Sequence, residues 1–82
     1  MEQPIGKLTH YFGHIEVAAL KLTGPLKVGD TIHVKGHTTD FTQPVDSMEV
    51  EHQKVQQAEA GQEVAFKVKD KARTGDDVYR VS

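Results

Sequence analysis

Apolar and polar residues alternate in three stretches of the chain, and a glycine opens each stretch. The stretches are 29–36, 61–68 and 75–81, and two of them begin with a Gly-Asp pair. A period of about two residues is typical of a β-strand that buries one face, and glycine followed by aspartate favours a preceding turn. The uneven spacing of the glycines argues against a repeat array. The pattern predicts one small β domain over residues 1–82.

The remaining apolar stretches extend this prediction. Residues 5–12 are rich in β-branched and aromatic residues and are predicted to be a strand, as are the apolar stretches 15–22 and 41–52, whereas 54–60 is expected to be irregular. In the cleanest alternation, Val64, Phe66 and Val68 are predicted to face the interior. About six or seven short strands without a helix indicate an all-β fold, and a closed antiparallel barrel would remove the exposed edges of so small a sheet.

Composition narrows the chemistry. There is no cysteine, and the net charge is −2, which argues against coating nucleic acid through bulk charge. The absence of cysteine, of an apolar leader after Met1 and of a membrane-spanning run favours a soluble, cytoplasmic protein. No phosphate-binding glycine loop and no serine nucleophile motif occur, and the five histidines lack a familiar zinc spacing. We expect no enzymatic activity, metal, cofactor or small-molecule substrate.

Several short motifs resemble a known family. Leu26-Lys27-Val28-Gly29-Asp30, the Ala60-Gly61 pair and the closing Gly75-Asp76, in this order, look like the second domain of elongation factor Tu and of other translational GTPases. The resemblance covers most of the chain and implies a small closed six-stranded Greek-key barrel. It further implies a free-standing translation accessory protein, without GTPase activity, that contacts the acceptor end of tRNA or ribosomal RNA.

This resemblance implies a set of RNA-binding residues. Glu49 falls where the family has a glutamate near the terminal adenosine of the tRNA. Imidazole and aromatic rings that stack on bases, with a few cations for phosphates, are typical of proteins that grip single-stranded RNA. The predicted RNA-binding residues are Glu49, His52, His10, Tyr11, Lys67, Lys69 and Arg73.

A second function stays open, a protein-interaction module that docks on a partner supplying a GTPase domain or on a peptidase-like protein. Its predicted contact surface is the polar loop and its flank, His37, Thr38, Thr39, Asp40 and Phe41. The chain also resembles the small barrel that closes some peptidase-like proteins of the collagenase class as an accessory module. Fold alone does not choose between these two functions.

Overall fold

The computed structural model describes residues 2–81, and within them the chain forms strands, turns and loops without a helix. Ten strands follow one another: β1 (Glu2–Phe12), β2 (Val17–Leu22), β3 (Leu26–Lys27), β4 (Thr31–Lys35), β5 (Asp40–Pro44), β6 (Met48–Val50), β7 (Gln53–Val55), β8 (Gln57–Ala58), β9 (Glu63–Lys67) and β10 (Asp77–Val81). None of the described secondary structure is a helix long and apolar enough to cross a membrane. The all-β prediction is confirmed.

Eight of the strands form one antiparallel sheet in the order β5-β4-β10-β1-β2-β9-β6-β7, and β3 pairs with β8 in a second, two-stranded sheet. Among residues 2–81, no backbone ladder joins the edge strands β5 and β7. The predicted closed six-stranded barrel is therefore not confirmed. The strand count is higher than predicted because short strands, β3, β7 and β8, form in stretches that were expected to be loops or irregular.

The core lies on the inner face of the large sheet, where the alternating residues meet. Val64, Phe66 and Val68 are 0%, 3% and 4% exposed, so the predicted phase of that stretch is confirmed. Ile32 and Val34 of β4 are both fully buried. Because each strand contributes alternate residues to one side, a single apolar layer is shared by most strands of the sheet.

The prediction of irregular structure for 54–60 is only partly right. Residues 53–55 form β7, the return strand of a hairpin with β6, and 57–58 form β8, which pairs with β3. Glutamine and alanine have weak strand propensity, so local sequence indicates little about the conformation of this segment. Tertiary pairing decides the conformation here, with Ala58 buried against the core.

The three glycine turns share one hydrogen-bond pattern. In Lys27–Asp30, Glu59–Gln62 and Arg73–Asp76, the backbone N–H of the fourth residue donates to the carbonyl of the first, at 3.0, 3.2 and 3.1 Å. The side chain of the fourth residue in turn accepts from the N–H of the first. The glycine at the third position has a φ of 94 to 99°, as a type II turn requires. The three similar stretches thus do share one local solution.

A glutamine connects the edge strand β5 to the chain beyond β9. The Gln43 side chain is 8% exposed, its Nε2 donates to the Lys67 carbonyl at 2.8 Å, and its Oε1 accepts from the Lys69 N–H at 2.8 Å. A side-chain amide has the same donor and acceptor as a peptide group. Gln43 therefore makes a backbone-like bridge where no strand ladder is present among the described residues.

Candidate interaction groove

A β-bulge in the first strand determines which of its residues reach the surface. The pairing of β1 with β2 aligns Leu8 with Leu20 but His10 with Ala19, so one extra residue, Thr9, stands on β1. An extra residue reverses the alternation of side chains that follows it. Leu8 is consequently buried, whereas His10 and Phe12 point outward.

The outward residues look onto a shallow floor of small side chains. Strand pairing places His10, Ala19, Ala65 and Glu49 in one row across β1, β2, β9 and β6. The two central positions are alanines, so the flanking side chains rise above the floor on either side. The row forms a groove, which we call the interaction groove, between the end of β1 and the β6–β7 hairpin.

One end of the interaction groove is apolar. Phe12 and Ile15 are 48% and 59% exposed, and they are the two exposed large hydrophobic residues in the described part of the chain. Both line a cavity of about 600 Å³ whose wall also contains Lys54 and Lys67. Because contiguous exposed apolar surface is a feature of interaction sites, this end of the groove is a candidate contact surface.

The other end of the interaction groove is acidic. A cavity of about 540 Å³ is lined there by Glu49, Glu51 and Glu63, together with His10 and His52, and by no lysine or arginine. Phe12, Glu49, His52 and Ala65 line both cavities, so the two ends are continuous. Glu63 accepts a hydrogen bond from the Thr9 hydroxyl at 2.6 Å, which ties the bulge to the wall of the groove.

The rim of the acidic end is a strained hairpin turn. Glu51 and His52 connect β6 to β7 and have φ of 53° and 65°. A two-residue turn with both φ positive is of type I′, where asparagine and glycine are the preferred residues. Positive φ costs a non-glycine residue of order 1–3 kcal/mol, so this hairpin holds two polar side chains at the groove rim at the expense of backbone strain.

The predicted RNA-binding residues do not form one surface. Glu49, His52 and His10 lie together in the interaction groove, but Tyr11 packs against the core because the bulge turns it inward. Arg73 lines a separate cavity near Lys35, away from Lys67 and Lys69. Glu49, His52 and His10 meet at the acidic end of the interaction groove, among further carboxylates and without a lysine or arginine, whereas Lys67 lines the apolar end. The acidic end repels phosphate rather than attracts it.

The loop predicted to contact a partner is only partly available. Thr39 and Phe41 are 5% and 8% exposed, and Phe41 belongs to the core. His37 and Thr38 are exposed at the tip, while the carboxylate of Asp40 lies 2.6 Å from His33 Nε2. Two of the five predicted contact residues therefore stabilise the domain from within and are not free to dock.

His33 is held between two carboxylates. Its Nδ1 lies 2.6 Å from Glu2 Oε2 and its Nε2 lies 2.6 Å from Asp40 Oδ1, and its side chain is 14% exposed. A carboxylate only accepts hydrogen bonds, so both ring nitrogens must donate, which requires the protonated imidazolium. The hydrogen bond to Asp40, supported by Glu2, raises the pKa of His33 against the opposing effect of burial. The cluster lies at the β1–β10–β4–β5 part of the sheet and joins three strands.

A metal centre is not assembled by these groups. In the part of the chain that the structure describes, residues 2–81, no three histidine, aspartate or glutamate side chains are placed to hold a metal ion. The interaction groove places an apolar surface and an acidic surface side by side.

Comparison with known proteins finds sequence similarity to parts of two much longer proteins. Over about nine-tenths of its length, the chain is 37% identical to an uncharacterized protease of Methanocaldococcus jannaschii and 37% identical to a collagenase of Porphyromonas gingivalis. It spans 19% and 22% of those proteins, about a fifth of their length. No family model matches the chain.

Solved structures show the same fold. Two structures of the C-terminal domain of a Geobacillus thermoleovorans protein assigned to the U32 peptidases superpose with TM-scores of 0.87 and 0.91, at 22% and 20% identity. The first covers 93% of this chain and 96% of that domain, and the second covers 98% and 93%. At such identities the match establishes the shared fold.

The identification with the second domain of translation factors is therefore wrong, and so are the translation and RNA-binding functions that it implied. The relatives are proteins of the protease and collagenase class. The physical reason for the error is that the Gly-Asp motifs at 29–30 and 75–76 are type II turns stabilised by their own aspartate. Any small sheet that needs such a turn can use the same residues, so they indicate a local geometry rather than a family.

Proposed function

We propose that this chain is a non-catalytic protein-interaction module that docks on a peptidase-like protein through the interaction groove. The observation that carries the proposal is the extent of the sequence similarity. Nearly all of this chain matches about a fifth of proteins named protease or collagenase, so the matching segment is one part of a larger molecule. A part of this size with a protruding apolar surface suits attachment better than chemistry.

The chemistry of the groove supports a non-catalytic role. The chain has no cysteine. Within residues 2–81, the histidine that hydrogen-bonds to carboxylates is His33, which lies outside the groove, whereas His10 and His52 have no such partner to orient them. Nucleophilic catalysis requires a nucleophile, a base and a group that orients the base within hydrogen-bond reach. The isolated chain is accordingly expected not to cleave gelatin or a collagen-derived peptide.

Docking is tested with the peptidase-like remainder of the Methanocaldococcus jannaschii relative, from which the segment matching this chain has been deleted. Isothermal titration calorimetry should show saturable binding of this chain to that remainder. Ile15→Asp should abolish the heat signal, because a charge placed in the apolar end would have to be desolvated on binding. Thr38→Asp, which places the same charge on the exposed loop, should leave binding intact.

Two results would contradict the proposal. If Thr38→Asp disrupts the complex and Ile15→Asp does not, the loop rather than the groove is the docking surface. If the wild-type chain fails to bind the remainder at micromolar concentrations, or cleaves gelatin on its own, it is not a docking module of this kind.

A further inference from the structure

The apolar end and the acidic end of the interaction groove are arranged in a fixed order along the sheet. On β1, His10 belongs to the row that leads to Glu49, and Phe12 belongs to the next outward row, which continues to Val17 and Lys67. The rings of His10 and Phe12 stack, with their centroids 5.8 Å apart. The two ends of the groove are therefore separated, along β1, by the distance between successive side chains on one face of a strand.

An extended peptide has the same spacing. Its side chains point to alternate sides, so those two positions apart face the same way, separated by roughly 6.5 Å. A segment lying in the groove would place one such side chain above the acidic end and the next above the apolar end. The groove is open and its floor, Ala19 and Ala65, is shallow, which leaves room for a backbone between the two walls.

Charge decides what each position would accept. The acidic end is lined by three glutamates and no lysine or arginine, so it attracts a cation. The apolar end is lined by Phe12 and Ile15, which would bury an aromatic or aliphatic side chain, and by Lys54 and Lys67, which disfavour a second cation. The two ends thus require different residues of one ligand.

We propose that the interaction groove binds an extended segment of the peptidase-like partner in which a basic residue and an apolar residue lie two positions apart. This inference rests on the proposed docking function and names the chemistry of the contact. The basic side chain lies among Glu49, Glu51 and Glu63, and the apolar side chain packs on Phe12 and Ile15. Since Glu51 and Glu63 are exposed and Glu49 is half-buried, the contribution of the carboxylates is screened by salt, while the apolar contact is not.

The test uses a short peptide, acetylated and amidated, with arginine and phenylalanine two positions apart in a glycine–serine background. Titrated into the ¹⁵N-labelled chain at low salt, it should shift the NMR signals of residues 10–15, 49–52 and 63–65 saturably. Replacing its arginine by glutamate should weaken binding at least about tenfold, the equivalent of roughly 1.4 kcal/mol. Replacing its phenylalanine by serine should weaken binding about three- to tenfold.

Variants of the chain locate the contact. Glu49→Gln and Glu51→Gln should each weaken binding of the arginine peptide about two- to fivefold and should not weaken binding of the glutamate peptide. Asp70→Asn is the matched control, because it removes the same charge from an exposed position outside the groove and should have no effect. Phe12→Ser should lower the affinities of the arginine and glutamate peptides by the same factor.

Three results would overturn the inference. The first is that the peptide shifts no signals at millimolar concentration while the peptidase-like remainder still binds, which means that the groove contacts a folded surface and leaves the docking function standing. The second is that arginine and glutamate peptides bind equally well. The third is concentration-dependent dimerisation in sedimentation experiments that Ile15→Asp abolishes, which assigns the apolar end to a second copy of this chain.

Discussion

Replacing Gln43 by alanine removes a side chain that bridges β5 to the end of β9 and to Lys69 just beyond it. Two hydrogen bonds of 2.8 Å are lost, and the carbonyl of Lys67 and the N–H of Lys69 lose their partners. A typical hydrogen bond contributes about 0.5–1.5 kcal/mol net, so the pair accounts for about 1–3 kcal/mol. Because Lys67 and Lys69 are exposed, water can reach their freed backbone groups, which favours the middle of this range.

The expected cost of about 2 kcal/mol is a large fraction of the roughly 4–12 kcal/mol available to a domain of this size. Urea unfolding followed by circular dichroism measures this cost, and an unchanged m-value would show that the variant exposes the same surface on unfolding as the wild type. Gln53→Ala is the matched control: it shortens an exposed glutamine on β7 and should change the free energy of unfolding little.

Gln43→Glu distinguishes the loss of the hydrogen-bonded bridge from the loss of side-chain volume. The ionised carboxylate can still accept from the Lys69 N–H, but its second oxygen would face the Lys67 carbonyl, and two acceptors repel. The variant should therefore be less stable than Gln43→Ala at pH 7 and should recover at pH 4, where the carboxyl carries a proton to donate. If Gln43→Ala costs less than about 0.5 kcal/mol, the bridge does not hold the two segments together and the reasoning is wrong.

Three further predictions concern the core, the histidine cluster and the strained turn. Phe66→Ala should lower the free energy of unfolding by about 3–5 kcal/mol, and a midpoint in urea that hardly moved would contradict its burial. His33 has a raised pKa when folded, so its stabilising effect is complete below its unfolded pKa of about 6.5 and is lost as pH rises through the folded value. Wild type should thus exceed His33→Asn in stability by more at pH 5.5 than at pH 8.5, and an equal difference at both would show that the two carboxylates do not hold the proton. His52→Gly should raise the free energy of unfolding by about 1 kcal/mol because it relieves a positive φ, and a loss of stability would mean that the His52 side chain makes contacts that outweigh the strain.

The sequence predicted best where structure depends on neighbours along the chain. The alternation over 61–68 requires only that one face of the strand is buried. The glycine turns are stabilised by their own backbone and side chains. Both features could therefore be predicted from the sequence. Whether the sheet closes could not be predicted from the sequence, because it depends on which strands lie at the edges of the sheet. Gln43 gave no signal either, since an isolated glutamine in a strand normally faces solvent.

Only part of the interaction groove could be predicted from the sequence. Glu49, His52 and His10 were predicted to bind RNA, and the structure brings these three side chains to one cavity. Phe12 was missed because a regular β1 would have turned it into the core together with Leu8. The bulge at Thr9 is a relation between two strands, 8–12 and 17–20, and neither strand encodes the offset alone.

This offset connects the fold to the proposed function. A strand without the bulge would turn His10 and Phe12 into the core and Thr9 and Tyr11 outward, so the row above Ala19 would carry a threonine in place of the His10 imidazole. The same extra residue that breaks the alternation also places the Thr9 hydroxyl on Glu63, so it fixes a carboxylate at the acidic end while it presents an aromatic ring at the apolar end. One local departure from the regular strand therefore builds both halves of the groove. Turn motifs, which many small sheets share, do not carry such information.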